Sequence, residues 1–109
     1  MRVKNNYLVY NGKKYKCSIG KGGFSSQKKE GDGCTPSGIF KITDVFYRHD
    51  KIQNLISNFK LKKISSLDGW CDDLNHSKYN TQIKFPFSNS AEKLFRQDDL
   101  YDIICVTNH

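Results

Sequence analysis

Alternating apolar and polar residues near the start of the chain give the clearest prediction of local structure. Tyr7–Tyr10 and residues 13–19 flank Asn11-Gly12, and an Asn-Gly pair tolerates the two positive φ values that a type I′ turn requires. The two segments are therefore predicted to pair as a β-hairpin. Lys14 and Lys16 alternate with apolar residues in its second strand, which predicts one polar and one apolar face.

Two later segments are also predicted as strands, and a third is predicted as a helix. Residues 38–48 follow a glycine-rich loop and end in an apolar run, and residues 100–107 are rich in residues that favour strands. Asn89 suits a helix N-cap, with Glu92 three residues later as in a capping box, so one short helix is expected near residues 89–96. The fold is predicted to be mainly β.

The composition is that of one small globular domain. Of the 109 residues, 37% are hydrophobic and 13% are aromatic, which excludes wholesale disorder. A chain of this length buries about 60–65% of the surface that it exposes when unfolded, which suffices for a single core. No repeat or linker interrupts residues 1–109, and no apolar run is long enough for a secretion signal or a membrane span.

The net charge of +7 and the isoelectric point near 9.3 predict attraction to anionic partners. The lysines are dispersed in short runs, and the sequence has no helix-turn-helix, zinc-finger or ribonucleoprotein motif. No nucleic acid partner is therefore predicted. A solvated surface is the alternative interpretation of the excess charge.

A loop at residues 28–40 carries the first group of candidate functional residues. It contains three glycines, a proline and both signs of charge, and an apolar run follows it directly. Glycine lets a loop approach another backbone or a ligand closely, so this loop is a place where functional residues are expected. The alternative is a long polar connection between two strands.

A second segment, residues 68–73, reads Asp-Gly-Trp-Cys-Asp-Asp and contains the only tryptophan of the chain. Tyr79 and Asn80 follow closely. An aromatic face beside carboxylates can hold a polar ligand by stacking and by charge-assisted hydrogen bonds. In the alternative interpretation, Trp70 anchors the segment on the core while Asp72 and Asp73 cap a turn.

Together with residues 90–102, these segments resemble the L,D-transpeptidase catalytic domain, the YkuD-like fold of bacterial cell-wall enzymes. The matching motifs are Lys-Glu-Gly-Asp-Gly-x-Thr-Pro-x-Gly-x-Phe at residues 29–40, Asp-Gly-Trp-Cys-Asp-Asp, and Ser-Ala-Glu followed by Leu-Tyr-Asp. The resemblance covers about Val3 to Asn108. It implies an L,D-transpeptidase-like β-sandwich or barrel that cross-links peptidoglycan stem peptides through a cysteine acyl-enzyme, with no metal or organic cofactor.

The family's nucleophile lies beyond the region of resemblance. Its cysteine stands in a Ser/Thr-x-Gly-Cys motif with a histidine upstream, and both follow the Leu-Tyr-Asp strand, whereas this sequence ends at Asn108-His109. The expectation is an incomplete domain that is inactive alone and whose catalytic residues are unknown. A second polypeptide is one possible source of the C-terminal half. The candidates for substrate binding are Asp32, Thr35, Trp70, Asp72, Asp73, Tyr79 and Asn80.

The four cysteines are poor substitutes for that nucleophile. Cys34 and Cys71 lie beside acidic residues, which disfavour a thiolate. At Cys34 the alternative stays open, because the charges of Lys28 and Lys29 oppose this effect. Cys17 and Cys105 lie in predicted apolar strands and are expected to be buried and inert. The cysteines and histidines lack the paired spacing of zinc ligands, so no metal site is predicted.

Two other classes of function remain open. The chain is alternatively a non-catalytic peptidoglycan- or anion-binding module, or a decayed or split-gene fragment. The family's chemistry belongs to the cell envelope, whereas unpatterned cysteines without a signal sequence favour a reducing, cytoplasmic compartment. The localisation is therefore left unknown.

Overall fold

Strands and turns make up all the regular structure in the computed structural model, which describes residues 1–109. The strands are β1 (Arg2–Lys4), β2 (Tyr7–Tyr10), β3 (Lys13–Lys16), β4 (Phe24–Ser25), β5 (Thr35–Pro36), β6 (Ile42–Tyr47), β7 (Leu61–Lys63), β8 (Asp68–Cys71), β9 (Gln82–Lys84), β10 (Ala91–Lys93) and β11 (Ile103–Thr107). The mainly β fold is confirmed. The structure contains no helix with the length and apolarity needed to cross a membrane.

The chain divides into two compact units, residues 1–39 together with His109, and residues 40–108. The single-domain organisation stays a prediction. In the first unit, β1, β2 and β3 form an antiparallel sheet in that order, and β4 pairs with β5 in parallel. Asn11 and Gly12 have φ values of 47° and 74°, as a type I′ turn requires, which confirms the predicted hairpin.

The second unit contains two three-stranded sheets and the hydrophobic core. β6 is central in the order β11-β6-β7, and β8 is central in the order β10-β8-β9. Phe46, Ile64 and Leu94 form the buried cluster, and Trp70 packs against it. The remaining side chains packed on the cluster are those of Phe95, Tyr101, Ile104 and Val106.

A buried arginine joins the end of β6 to the segment that follows β10. Arg48 donates hydrogen bonds of 2.8 and 2.6 Å to the two carboxylate oxygens of Asp50, and its Nη1 donates to the carbonyl oxygen of Arg96 at 2.5 Å. Its guanidinium carbon lies 3.7 Å from the centroid of the Phe95 ring. Because its charge is paired and hydrogen-bonded, Arg48 is tolerated at 4% exposure. The hydrogen bond from Arg48 lowers the pKa of Asp50 to about 2.

The predicted helix near residues 89–96 is wrong. This segment contains β10 instead, in which Ala91, Glu92 and Lys93 pair with Cys71, Trp70 and Gly69 of β8. A helix of eight residues is marginal in isolation, so pairing with a central strand overrides the local signal. The capping groups also have other partners, because Asn89 donates to Asp73 at 2.8 Å and Glu92 accepts from Tyr101 at 2.8 Å.

The prediction that Cys105 is buried is also wrong. Ile104 and Val106 contact the hydrophobic cluster, and side chains alternate between the faces of a strand, so Cys105 points to the other face and is exposed. Cys17 is half-buried, and Cys71 is fully buried on β8.

One edge strand differs in charge from the others. The outer strands of the three-stranded sheets are β1, β3, β7, β9, β10 and β11. All of them carry at least one lysine or arginine except β11, whose sequence is Ile-Ile-Cys-Val-Thr. Lysines on edge strands discourage pairing with foreign strands, so β11 lacks the protection that the other five have.

Candidate functional site

In the loop of the first unit, Asp32 is engaged by its own neighbours. Its Oδ2 accepts the amide of Lys29 at 2.7 Å, and its Oδ1 accepts the amide of Cys34 at 2.8 Å. The ammonium of Lys28 lies 2.8 Å from Oδ1. The hydrogen bond from Lys28, followed by the two amides, holds the pKa of Asp32 well below its usual range. Asp32 is therefore an ionised group that shapes the loop.

Close approach to residues 20–25 holds the same loop in place. Gly20 donates its amide to Oγ1 of Thr35 at 2.7 Å, and a Cβ at Gly20 would lie 2.2 Å from the carbonyl oxygen of Gly33. Only glycine permits this approach of two backbones. The amide of Thr35 also donates to the carbonyl of Gly23 at 2.8 Å, so both the side chain and the backbone of Thr35 anchor the loop.

The Cys34 thiol has structural contacts in this loop. Its Sγ lies 3.5 Å from the carbonyl oxygen of Gly22 and 3.6 Å from that of Asp32. Cys34 thus contributes to holding the loop against Gly22.

In the second unit, a buried carboxylate fixes the start of β8. Asp68 is 1% exposed and accepts hydrogen bonds from the amide of Ser65 at 2.6 Å and from Nε2 of Gln82 at 2.9 Å. It also pairs with the ammonium of Lys84. Burial alone would raise the pKa of Asp68, but the bonds from Lys84, Ser65 and Gln82 together lower it. Asp68 is therefore ionised, and it ties β8 to β9 and to the preceding turn.

Trp70 packs on the core and is fixed in orientation by Asn80. Its ring meets Phe46 edge-to-face, with 6.5 Å between ring centroids, and its Nε1 donates to Oδ1 of Asn80 at 2.9 Å. Asn80 has a φ of 57° and donates its own amide to the carbonyl of Cys71 at 2.8 Å. The structure therefore agrees with the alternative interpretation on one point, because the Trp70 side chain does anchor its segment on the core.

Asp73 has a comparable structural position in the segment after β8. Its Oδ1 accepts the amide of Asn75 at 2.9 Å, and its Oδ2 accepts Nδ2 of Asn89 at 2.8 Å. These two hydrogen bonds lower the pKa of Asp73. Asp72 is exposed and donates its amide to the carbonyl of Ser90 at 3.3 Å. Tyr79 is half-buried, one residue before Asn80.

Glu92 lies on β10, where it is the cross-strand partner of Trp70 on β8. Its carboxylate accepts a hydrogen bond from the Tyr101 hydroxyl. Burial, followed by this hydrogen bond, raises the pKa of Tyr101 to about 12. Neither residue was among the site candidates. Both belong to the third motif, Ser-Ala-Glu followed by Leu-Tyr-Asp, and this motif is the only sequence signal that includes them. Nothing in the sequence indicates that Glu92 and Tyr101 are in contact.

The structure brings five of the seven candidates into one segment of the second unit, namely Trp70, Asp72, Asp73, Tyr79 and Asn80. Asp32 and Thr35 belong to the first unit. No group of three or more histidine, cysteine or acidic residues is placed to hold a metal ion. The roles of all seven candidates in substrate binding stay predictions.

A comparison with protein-family models shows which family the chain belongs to. The family model of the L,D-transpeptidase catalytic domain, YkuD, matches residues 2–104. The chain belongs to this family. No curated protein and no solved structure shows a significant match. The match confirms the resemblance that the three motifs indicated, and places both the loop and the Trp70 segment within the L,D-transpeptidase domain.

For this L,D-transpeptidase domain, we predict that ionised Asp68 stabilises the segment around Trp70. Because the pKa of Asp68 is lower in the folded state than in the unfolded chain, its contribution is present above about pH 4 and is lost as the pH falls further. At pH 7, Asp68→Asn should lower the free energy of unfolding by about 1–3 kcal/mol. Urea unfolding at pH 7 and at about pH 3 measures the difference.

The control for this experiment is Asp72→Asn, which alters an exposed carboxylate on the same segment and should change stability little. A loss in Asp68→Asn that is as large at about pH 3 as at pH 7 would contradict a role for the ionised form.

Proposed function

We propose that this chain serves L,D cross-linking of peptidoglycan by holding the stem peptide beside Trp70. The family match over residues 2–104 is the observation that carries the proposal. By family resemblance, a thiolate attacks the amide between a diamino acid's L-centre and D-alanine. D-Alanine leaves as the amine, a thioester forms, and an amine of a neighbouring stem displaces the thiolate to form the cross-link.

The geometry of the Trp70 segment supports a binding role. Trp70 is fixed by Phe46 and Asn80 before any ligand arrives, so little conformational entropy is lost on binding. Asp72, which is exposed and next to this anchored strand, can accept hydrogen bonds from amide and ammonium groups of a stem peptide. An aromatic side chain on β8 and a carboxylate directly after that strand suit a polar peptide with an amino side chain.

We further propose that none of the four cysteines acts as the nucleophile. Cys71 has no exposed surface, and Cys34 contacts two carbonyl oxygens. Cys105 is exposed but stands within a strand, and no cysteine lies in a Ser/Thr-x-Gly-Cys sequence. His76 accepts the amide of Lys78 at 3.0 Å and packs against Phe87, which makes it a structural residue of its turn.

The binding proposal predicts that Trp70→Ala weakens the affinity for a soluble disaccharide-tetrapeptide by about tenfold or more, since truncation removes an anchored aromatic surface. Isothermal titration calorimetry measures it. Because Trp70 also packs on Phe46, Asp72→Asn provides a second variant whose fold should be unaffected. Asp99→Asn, which alters an exposed acid elsewhere in the unit, is the matched control. Unchanged affinity in both Trp70→Ala and Asp72→Asn would reject this binding site.

The chemistry proposal predicts that the 109-residue polypeptide alone releases no D-alanine from the tetrapeptide and forms no cross-link. Intact-protein mass spectrometry after incubation with the disaccharide-tetrapeptide should show the unmodified mass. An acyl adduct on one of the four cysteines, abolished when that cysteine is changed to serine, would overturn the proposal.

The partner proposal concerns β11, where we propose that a further strand, including one from a second polypeptide, completes the sheet. The amide of Arg48 donates to the carbonyl of Asp102 at 2.9 Å, and the amide of Asn108 donates to the carbonyl of Lys41 at 3.0 Å. Backbone groups of a strand alternate in direction, so those of Ile103, Cys105 and Thr107 point away from β6. They form an open row of donors and acceptors on an uncharged edge.

An open β11 edge predicts that the 109-residue polypeptide associates as its concentration rises. Size-exclusion chromatography should show species larger than a monomer, and Cys105→Lys, which places a charge on this edge strand, should reduce them. Gln53→Lys, which adds the same charge at an exposed position outside the strands, is the control and should leave the association unchanged. A sharp monomer peak with a cooperative thermal transition well above physiological temperature would contradict the proposal.

A further inference from the structure

The positive charge of this chain is concentrated at one end. Residues 1–29 contain eight lysines and arginines and no acidic residue, whereas residues 30–109 contain ten basic and eleven acidic residues. The net charge of +7 therefore comes entirely from the first 29 residues. The runs of lysine that look dispersed along the sequence belong mostly to the first unit.

The strand register places four of these charges on one face of the β1-β2-β3 sheet. Arg2, Val9 and Lys14 are partners across the three strands, and Lys4, Tyr7 and Lys16 form the neighbouring row. Tyr7 and Val9 are two residues apart on β2, so the two rows lie on the same side of the sheet. This side, called the cationic face, consists of Arg2, Lys4, Tyr7, Val9, Lys14 and Lys16.

No carboxylate balances the cationic face. Its four basic side chains are exposed, and none of them forms an ion pair. The one electrostatic partner within the face is the Tyr7 ring, whose centroid lies 5.6 Å from Nζ of Lys14. Like charges gathered on one face of a sheet repel one another, so the arrangement lowers the stability of the free sheet and favours an anionic partner.

We propose that the cationic face is a docking surface for the carboxylates of peptidoglycan, separate from the stem-peptide site beside Trp70. The proposal rests on the proposed function for the identity of the polymer. In an ordinary sheet the two rows are about 7 Å apart, and the two outer strands are about 10 Å apart. Charges spread at this spacing do not converge on a single anion. They suit carboxylates distributed along a polymer, where several weak contacts act together.

The composition of the face argues against the other polyanions. Single-stranded nucleic acids bind to several stacked aromatic side chains, but this face has only Tyr7, with Lys14 beside its ring. An anionic membrane favours apolar side chains that insert between lipids, and Val9 is the single aliphatic residue here.

Docking of this kind would keep the protein on its polymer while stem peptides exchange at the Trp70 segment. Weak contacts to many carboxylates raise the local concentration of stems without holding any one of them. Because the cations are exposed, salt should weaken the attachment strongly.

The test is co-sedimentation of the full chain with purified, protein-free peptidoglycan sacculi. Binding is measured at about 0.01 M and about 1 M ionic strength, between which the Debye length falls from about 30 Å to about 3 Å. The test variant replaces four residues with glutamine, namely Arg2, Lys4, Lys14 and Lys16. The control variant removes the same charge from exposed lysines elsewhere, namely Lys41, Lys60, Lys63 and Lys93.

At low salt, the test variant should bind sacculi about tenfold or more weakly than the unmodified chain, whereas the control variant should bind within about twofold. High salt, or amidation of the sacculus carboxylates, should remove the same binding from the unmodified chain. Equal losses in the two variants would reduce the effect to net charge and overturn the proposal. Tighter low-salt binding to single-stranded DNA, or to vesicles with anionic lipid, than to sacculi would overturn it as well.

The soluble disaccharide-tetrapeptide separates this proposal from the proposed function. It carries the carboxylates of a single stem and lacks the many further carboxylates of the polymer, so the test variant should bind it normally, while Trp70→Ala should keep its salt-sensitive binding to sacculi. Loss of sacculus binding in Trp70→Ala alone, with the test variant unaffected, would overturn the docking surface and leave the stem-peptide site intact.

Discussion

The ionised carboxylate of Asp68 is the interaction on which the second unit depends. Its side chain holds Ser65, Gln82 and Lys84, and its own carbonyl accepts the amide of Leu94 at 3.1 Å. One residue thereby joins a turn, β9 and the segment after β10 around the start of β8. The strands of this unit have between three and six residues, so each ladder supplies few hydrogen bonds, and the contacts of Asp68 add connections between the elements.

The sequence predicted the parts of the fold that depend on neighbouring residues. The hairpin at Asn11-Gly12 forms because the turn and the alternation of Lys14 and Lys16 are local properties. The helix near residues 89–96 was wrong because the partner that decides its structure, β8, lies some twenty residues earlier. The burial of Cys105 was wrong because the apolar run of β11 hides which alternate side chains face the core.

Sequence motifs predicted the candidate site, but they did not predict the hydrogen bonds within it. The sequence identified the segment containing Trp70 and Asn80, but not that the indole N–H of Trp70 donates to Asn80. It gave no indication that Asp68 is the buried acid while Asp72 stays exposed, although both belong to the same six-residue motif. Burial of a carboxylate depends on donors such as Gln82 and Lys84, which only the paired strand β9 brings close.

These connections divide the motif residues into two groups with different physical roles. Members of the first group direct polar side-chain atoms at other parts of the chain, and they are Asp32, Thr35, Asp73 and Asn80. These hydrogen bonds fix the shape of the backbone and leave the side chains less capacity to bond a ligand. In the second unit, Asp72 has an exposed carboxylate beside the segment that Asp73 and Asn80 fix. The first unit, by itself, carries unbalanced positive charge. The two proposals thus assign different charges to different parts of the chain: an exposed acid in the second unit for the stem peptide, and the basic first 29 residues, which contain no acid, for diffuse attraction to anions.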